Sequence, residues 1–460
     1  MARTILIIGG GCAGTLVAAQ LLRQAKEDCT IRLIERSGTP GRGVAYGTNC
    51  SEHLLNVPAA KMSAWPDDPE HFLRWAQERA GQLGFPDEVR PGDFLPRQIF
   101  GQYLTQVLED ARLAAGPGRR LEVIGGEAIE LEDTGEGGKV TLADGRAFNG
   151  EWVVLALGNL PGEYPIRRPL PFYHSARYVH QPWAPGALER IGKKEDLLIV
   201  GAGLTAVDIV VQCRRAGHTG VIHALSRRGL RPLSHVGGLQ PYPAFLSAAS
   251  LPATVRETVR RVRYEVRRGF ELGYDWRAVI DSLRAFTPAI WQGWSDEDRA
   301  RFMRYVRPYW EPHRHRLAPA VAAIVAEWEL AGRLRFHAGR LVSLRESGGA
   351  VDAQIYLRGQ SDLLALRVAK VINCTGPRTD YSKYQHPLLI NLLAAGLIGH
   401  DPLALGIDAL PSGEVRRHGG APTGWLFTIG APLKATLWES TAVPEIRAQA
   451  GQLAGRLLAN

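Results

Sequence analysis

Gly9, Gly11 and Gly14 stand in the order G-x-G-x-x-G directly after the apolar run Thr4 to Ile8. Glycines so placed let the backbone approach a pyrophosphate closely, and a following helix would aim its unpaired N–H groups and positive dipole end at the same point. Glu35 closes a second apolar run, Thr30 to Ile34, and lies 26 residues after Gly9 and 21 after Gly14. A carboxylate there accepts hydrogen bonds from ribose hydroxyls. The pattern recurs at Gly201, Gly203 and Ala206, after Asp196 to Val200, and Arg227 lies 26 residues after Gly201 and 21 after Ala206. Alanine is tolerated at the third position, which needs only a small residue where helix and strand pack. The acid of the first unit is thus replaced by Arg227 with Arg228 beside it. A guanidinium pair suits a 2′-phosphate and leaves a bare diol without its acceptor, so the second nucleotide is expected to be NADPH more than NADH.

These residues need two strand-turn-helix-strand units to position them. The first runs through a helix from Thr15 to Gln24, the second through a helix to about Arg215 and a strand from Gly220 to Leu225. The repeat extends further. A β-rich stretch precedes an apolar strand and small-residue loop in each half: Leu121 to Phe148 before Val153 to Gly158, and Leu334 to Leu366 before Val371 to Gly376. Two homologous halves are the natural reading. The expected fold class is α/β, with two Rossmann-like dinucleotide-binding domains, the second inserted in the first and itself carrying a helical insertion. The boundaries read as 1–160 and 379–460 for the first domain and 161–378 for the second. Its insertion spans about 241–331, where apolar spacing is helical over Val255 to Phe270 and Ala318 to Leu330. A strand at Gly424 to Ile429 and a helix at about Val443 to Leu458 close the chain.

Composition narrows the function. The 460 residues carry 55 basic and 46 acidic side chains, a net charge of +9. The basic set is 8 lysines and 47 arginines spread along the whole chain, which argues against nucleic-acid binding and for a general attraction to anionic ligands. The five cysteines, Cys12, Cys29, Cys50, Cys213 and Cys374, form no CxxC pair, so neither a disulfide framework nor a redox dithiol is expected. No apolar stretch is long enough to span a bilayer, and a cytoplasmic protein with no membrane partner is expected. His313 and His315 alternate on a helical stretch without companion ligands, so no metal is expected. Trp291, Trp294, Tyr309 and Trp310 read as insertion core, with a substrate box as the alternative.

With a Glu site and a paired-Arg site in one chain, the sequence resembles the two-dinucleotide-binding-domain flavoproteins, in which the N-terminal site holds FAD and the inserted domain NAD(P)H. Within them it is similar to the flavin-containing and N-hydroxylating monooxygenases. In detail it resembles a bacterial group of FAD/NAD(P)-binding proteins, through Gly41-Arg42-Gly43-Val44-Ala45-Tyr46-Gly47, His53-Leu54-Leu55-Asn56-Val57-Pro58, Arg307-Pro308-Tyr309-Trp310 and Trp438-Glu439-Ser440-Thr441. The resemblance implies FAD and NADPH as cofactors, with Asn56, Arg97 of Leu95-Pro96-Arg97, and Gly430 at the flavin. His174-Ser175-Ala176-Arg177-Tyr178 resembles the end of the flavin monooxygenase signature, whose upstream Phe-x-Gly part is absent here. The implied activity is NADPH-dependent monooxygenation of an amine or other small molecule with molecular oxygen, through a flavin C4a-(hydro)peroxide. The alternatives are an NADPH:acceptor reductase, passing electrons to a quinone or protein, and a non-catalytic redox-sensing protein. No catalytic side chain is assigned.

Overall fold

The computed structural model describes residues 3–85 and 88–459. Strand β1 (Arg3–Ile8), the helix Cys12–Gln24 and β2 (Cys29–Glu35) form a parallel βαβ unit, which β3 (Arg119–Gly125) extends beyond β2. Next come three antiparallel strands, β4 (Ala128–Asp133), β5 (Gly138–Leu142) and β6 (Ala147–Gly150), in a sheet of their own. β7 (Trp152–Leu155) then returns to pair with β1 in parallel.

The chain leaves this sheet and builds a second. It contains β8 (Tyr178–Val179), β9 (Leu197–Val200), β10 (Ile222–Ser226), β11 (Leu334–Ser347), β12 (Ala350–Leu357), β13 (Leu363–Val368) and β14 (Lys370–Asn373). β15 (Glu414–Arg416) and β16 (Pro422–Thr428) then rejoin the first sheet, where β16 lies parallel to β7.

The internal repeat is visible in strand order. The first sheet reads β15-β16-β7-β1-β2-β3 and the second β13-β12-β11-β10-β9-β14-β8. Five strands correspond one to one, β16-β7-β1-β2-β3 with β8-β14-β9-β10-β11, and all their pairings are parallel. The halves differ in the antiparallel strands that follow: β12 and β13 continue the second sheet, whereas β4 to β6 stand apart from the first.

The continuous apolar runs reflect cover on both faces. In the first sheet, Ile5, Ile7 and Ile31 pack beneath the helices Cys12–Gln24, Arg97–Ala114 and Val443–Ala459. Leu6, Ile8 and Ile34 face β4, β5 and the helix Pro387–Ala394. In the second sheet, Ile199 and Ile222 pack on the helices Leu204–Arg215 and Pro319–Leu330. The latter helix is therefore the crossover from β10 to β11, not part of the segment inserted between them, although the sequence reading places it there. An amphipathic crossover helix and an insertion helix carry the same apolar spacing, and only the surface each covers distinguishes them.

The insertion contains the helices Val255–Glu271, Trp276–Ser282, Thr287–Gly293, Asp296–Arg301 and Arg307–Arg314, with a π-helical turn at Phe302–Val306. Its core of Trp291, Trp294 and Phe302 packs on Leu405, Ala435 and Trp438, which flank β15 and β16. Trp291 Nε1 donates to the carbonyl of Ala435 at 2.7 Å, and Arg284 makes a two-pronged contact with Glu445 at 2.7 and 2.8 Å. The insertion thus ties the second domain to the returning end of the first.

Candidate functional site

Each glycine of the first motif has its own steric reason. Gly9 has φ +104°, and a Cβ there would lie 2.4 Å from the carbonyl oxygen of Ala156; one on Gly14 would lie 1.9 Å from that of Gly9. These two positions set the turn and the close seating of helix on strand. A Cβ on Gly11, by contrast, would meet only Gly43 Cα, at 3.8 Å. The second motif repeats the division. Gly201 has φ +123° and a Cβ on it would sit 1.9 Å from the Cys374 carbonyl oxygen, whereas nothing lies within 4 Å of one on Gly203. Ala206 is buried in the second core. The middle glycines therefore keep open the space that a pyrophosphate would use, while the outer ones hold the turn.

Glu35 ends β2 beside the first loop. Its Oε2 accepts from the Gly10 N–H at 2.7 Å, and Oε1 accepts from Ser37 N at 3.0 Å and Ser37 Oγ at 2.9 Å. Oε1 thus accepts twice and Oε2 once, so Oε2 keeps a lone pair for a ribose hydroxyl. The Gly41 to Gly47 segment folds over the same loop, with Gly41 N donating to the Gly10 carbonyl at 2.8 Å and to Thr15 Oγ1 at 2.9 Å. Gly430 follows β16 with φ +77°, and a Cβ on it would lie 3.5 Å from Ala13 Cβ, at the start of the loop helix. β7, β1 and β16 thus deliver Ala156, Gly9 to Gly14 and Gly430 to one edge of the sheet.

The equivalent edge of the second domain is cationic. Burial and the charges of Arg307, Arg228, Arg340 and Arg167 all push the Arg227 pKa down, so five guanidinium groups share one neighbourhood. Of these, Arg307 is paired with Glu311 at 3.1 Å and Arg167 with Glu163 at 3.8 Å. Arg228 lies over the Tyr309 ring, 5.3 Å from its centroid. Its Nη1 and the Ser226 hydroxyl are buried with no hydrogen-bond partner among the described residues. Unsatisfied buried donors beside clustered guanidinium groups suit a phosphate, which offers several acceptor oxygens at once. Ser226, Arg307, Arg340 and Arg167 escaped the sequence reading. Ser226 could have been found, since it adjoins Arg227 at a strand end, but the other three come from distant segments.

Arg97 is held at the seam between the domains. Its guanidinium pairs with Asp208 of the helix Leu204–Arg215, Nη1 to Oδ2 at 2.8 Å and Nη2 to Oδ1 at 3.3 Å, and its Nε donates to the Leu54 carbonyl at 3.1 Å. Its charge also acts on Tyr46, whose pKa is raised by burial and by Cys12 of the glycine loop. Arg97 therefore borders the first cradle, and its guanidinium is shared between the Leu54 carbonyl of the first domain and the Asp208 carboxylate of the second. Asn56 lies at the same seam, its carbonyl 3.0 Å from His235 Nε2.

His53 Nε2 lies 3.0 Å from the Asp208 carbonyl oxygen, and Arg215 Nη1 donates to Ser51 Oγ at 2.7 Å. Burial works against a thiolate at Cys50, yet His53 and Arg215 hold its pKa below the ordinary thiol value. Burial pushes the Cys12 and Cys213 thiols up to about 12. All five cysteines are free.

The remaining candidates are structural in this geometry. Ser175 Oγ and Arg177 Nε both donate to Glu346 of β11, so the His174 to Tyr178 segment braces the second sheet. Trp291 and Trp294 are buried, whereas Tyr309 is half exposed beneath Arg228. His315 Nδ1 lies 2.7 Å from Glu311 Oε2 and His313 Nδ1 2.7 Å from the Tyr309 carbonyl oxygen.

Comparison with known proteins agrees with this architecture. Residues 6–160 match a family model described as FAD-NAD(P)-binding. Among curated proteins none matches the sequence. The reduced form of ornithine hydroxylase from Pseudomonas aeruginosa superposes with a TM-score of 0.64 at 15% identity, over 100% of this chain and 99% of that one. Ornithine N-hydroxylase from Kutzneria sp. 744, with reduced FAD, NADP+ and L-ornithine, also gives 0.64 at 15% identity, over 99% of each chain. Thioredoxin reductase from Lactococcus lactis gives 0.51 at 12% identity, over 99% of this chain and 97% of that one. The chain thus has the fold of the two-dinucleotide-binding-domain flavoproteins along its whole length.

Proposed function

We propose that this protein is an FAD- and NADPH-dependent monooxygenase acting on an amine, with FAD in the Gly9–Glu35 cradle and NADPH in the Gly201–Arg227 cradle. The reading is carried by the unlike ends of two like cradles: a diol-accepting carboxylate at Glu35, and unpartnered donors on Ser226 and Arg228 within an arginine cluster. The full-length likeness to amine hydroxylases supports the reaction class. The five cysteines, all free, point away from disulfide exchange.

Reduced by nicotinamide hydride, a bound FAD supplies oxygen activation and transfer to a nucleophilic nitrogen. The chain's part is to bind, orient and shield. Glu35 and Ser37 would fix the ribose of the first nucleotide, and the open faces of Gly11 and Gly203 would admit the two pyrophosphates. Ser226, Arg227 and Arg228 would take the 2′-phosphate. Trp291 of the insertion stacks on Trp438 of the returning first-domain segment, with centroids 5.0 Å apart, and so holds the insertion on that segment. Among the described residues no helix is long and apolar enough to cross a membrane, and the free thiols suit the reducing cytoplasm.

The test supplies the purified holoprotein with NADPH, isotopically labelled oxygen and an amine panel that includes ornithine and cadaverine. The expected result is anaerobic bleaching of the flavin by NADPH and label in a hydroxylated amine. NADPH oxidation with no label in any amine, but rapid reduction of a quinone, would replace this reading with a reductase. Failure of NADPH to bleach the flavin would remove catalysis altogether.

A further inference from the structure

The outer layer of the insertion carries a feature that the two cradles do not use. The helix Val255–Glu271 holds six arginines against three glutamates. Two of the arginines are paired on the helix itself, Arg261 with Glu257 at 2.6 Å and Arg268 with Glu265 at 3.6 Å. The other four, Arg256, Arg260, Arg263 and Arg267, are exposed, and none makes an ion pair or side-chain hydrogen bond among the described residues. Their spacings of 4, 3 and 4 residues align them in one stripe, about 16 Å long at 1.5 Å per residue.

The inward stripe of the same helix is apolar. Val255 and Val259 join the insertion core, and Val266 packs in the small cluster around Tyr242 and Val279. The cationic stripe runs along the flank of the helix, about 100° around from the apolar one, and its four side chains are exposed. At its end and along its edge lie large apolar side chains that the fold does not cover: Phe270 is 82% exposed, Tyr264 63% and Leu272 60%. Beside it opens a cavity of about 350 Å³ lined by Phe245, Arg260, Arg261, Tyr264 and Glu265.

We propose that this helix docks the protein on an anionic lipid surface. Unpaired guanidinium groups in a row are complementary to a layer of phosphate-bearing headgroups. Phe270 and Leu272 distinguish a bilayer from other polyanions, because beneath its charged layer lies hydrocarbon that accepts apolar side chains. Tyr264, apolar in body and polar at its tip, is of the type enriched at that boundary. The cavity next to Arg260 and Arg261 gives one headgroup a recess with aromatic walls. The protein would then lie on the membrane through its insertion, consistent with the lack of a spanning helix among the described residues.

The experiment is co-sedimentation of the full-length holoprotein with vesicles of phosphatidylcholine alone, or of phosphatidylcholine and phosphatidylglycerol in equal parts, at physiological salt. The expected result is partition onto the anionic vesicles only. Replacing Arg256, Arg260, Arg263 and Arg267 together by Gln should weaken that partition roughly 1,000-fold, given the gain expected per basic residue at an anionic surface. Phe270→Ser with Leu272→Ser should weaken it roughly tenfold by removing the inserted apolar area. All six side chains are exposed, so flavin content and melting temperature should stay unchanged in both variants, which separates lost docking from lost folding. Equal partition onto both vesicle types, no partition, or full retention by the quadruple variant would overturn the proposal. So would polyglutamate or duplex DNA that binds as tightly at the same salt and displaces the vesicles.

Discussion

In the first cradle the Glu35 carboxylate is already held by the Gly10 N–H and by Ser37, whereas in the second the Ser226 hydroxyl and an Arg228 N–H are buried with nothing to bond. The backbones that present them are alike, down to a middle glycine with an open face and outer positions that carry the packing. Under the proposed function, the shared backbone geometry would make both sites receptive to a pyrophosphate, and the side chains at the end of the second strand would decide which nucleotide enters. The difference also bears on order without ligand. A satisfied carboxylate fixes its own cradle, while Arg227, Arg228 and Arg340, which have no carboxylate partner among the described residues, repel one another until an anion arrives.

The sharpest way to break this comparison is to exchange the roles of the glycines. Gly14→Val would drive a Cβ onto the Gly9 carbonyl oxygen, and the expected cost exceeds about 4 kcal/mol, the range of severe core lesions. Little folded protein should be recovered. Gly11→Val should fold within about 1 kcal/mol of the parent, the usual scale of an N-cap change, yet purify colourless. Gly203→Val should keep its flavin and lose reduction by NADPH. Visible absorbance per protein together with a melting curve checks all three, and a yellow Gly11→Val protein would overturn the first site.

Next in size is the link between the cradles. Arg97→Ala leaves Asp208, which is buried, without its cation, and should cost about 3 kcal/mol in a urea titration. Arg97→Ala combined with Asp208→Ala should recover much of that. A double variant as unstable as the sum of the two singles would show that the pair is not coupled.

Arg227→Ala tests selectivity alone. It should lower kcat/KM for NADPH by about tenfold or more, equivalent to some 1.4 kcal/mol, and affect NADH much less. For the parent protein, the preference for NADPH should shrink as salt rises, since part of it is charge attraction. An equal loss with both nucleotides would mean that Arg227 does not meet the 2′-phosphate.

The smallest effect concerns pH. Counting from the paired motifs, His223 of β10 is the counterpart of Ile31 of β2, and its Nδ1 lies 2.9 Å from His337 Nε2. Burial and the neighbouring His337 push its pKa down to about 4 from 6.5. The folded chain thus keeps a neutral ring while the unfolded chain takes up a proton, so stability should fall as pH drops from about 6.5 toward 4. His223→Ile, which copies the first half, should flatten that fall in denaturant midpoints measured across the window. An unchanged pH slope would remove His223 from the account.

The 26- and 21-residue spacings made both cradles legible in sequence because a βαβ unit has a nearly fixed length, so equal spacing places side chains at equal points in space. Glu35 and Arg227 could be matched for that reason. The partner of Arg97 could not, since Asp208 lies 111 residues away and no local pattern encodes a contact across domains. The arginines around Arg227 were hidden in the same way: Arg167, Arg307 and Arg340 converge from a linker, the insertion and β11. The end of the insertion was misread because the helix Pro319–Leu330 has the apolar rhythm of its neighbours and reveals its role only through the sheet it covers.

The Arg97–Asp208 pair has a kinetic meaning as well. Asp208 sits on the helix that follows the second glycine turn, and two further residues of that helix reach the first domain: Arg215 to Ser51 and Arg214 to Glu52. To swivel one domain against the other, the chain would have to pull a desolvated ion pair apart before water could reach either charge, which raises the barrier well above that of a loose hinge. The halves are therefore expected to move as one frame. Under the proposed activity, turnover would then be paced by molecules entering and leaving the gap between them.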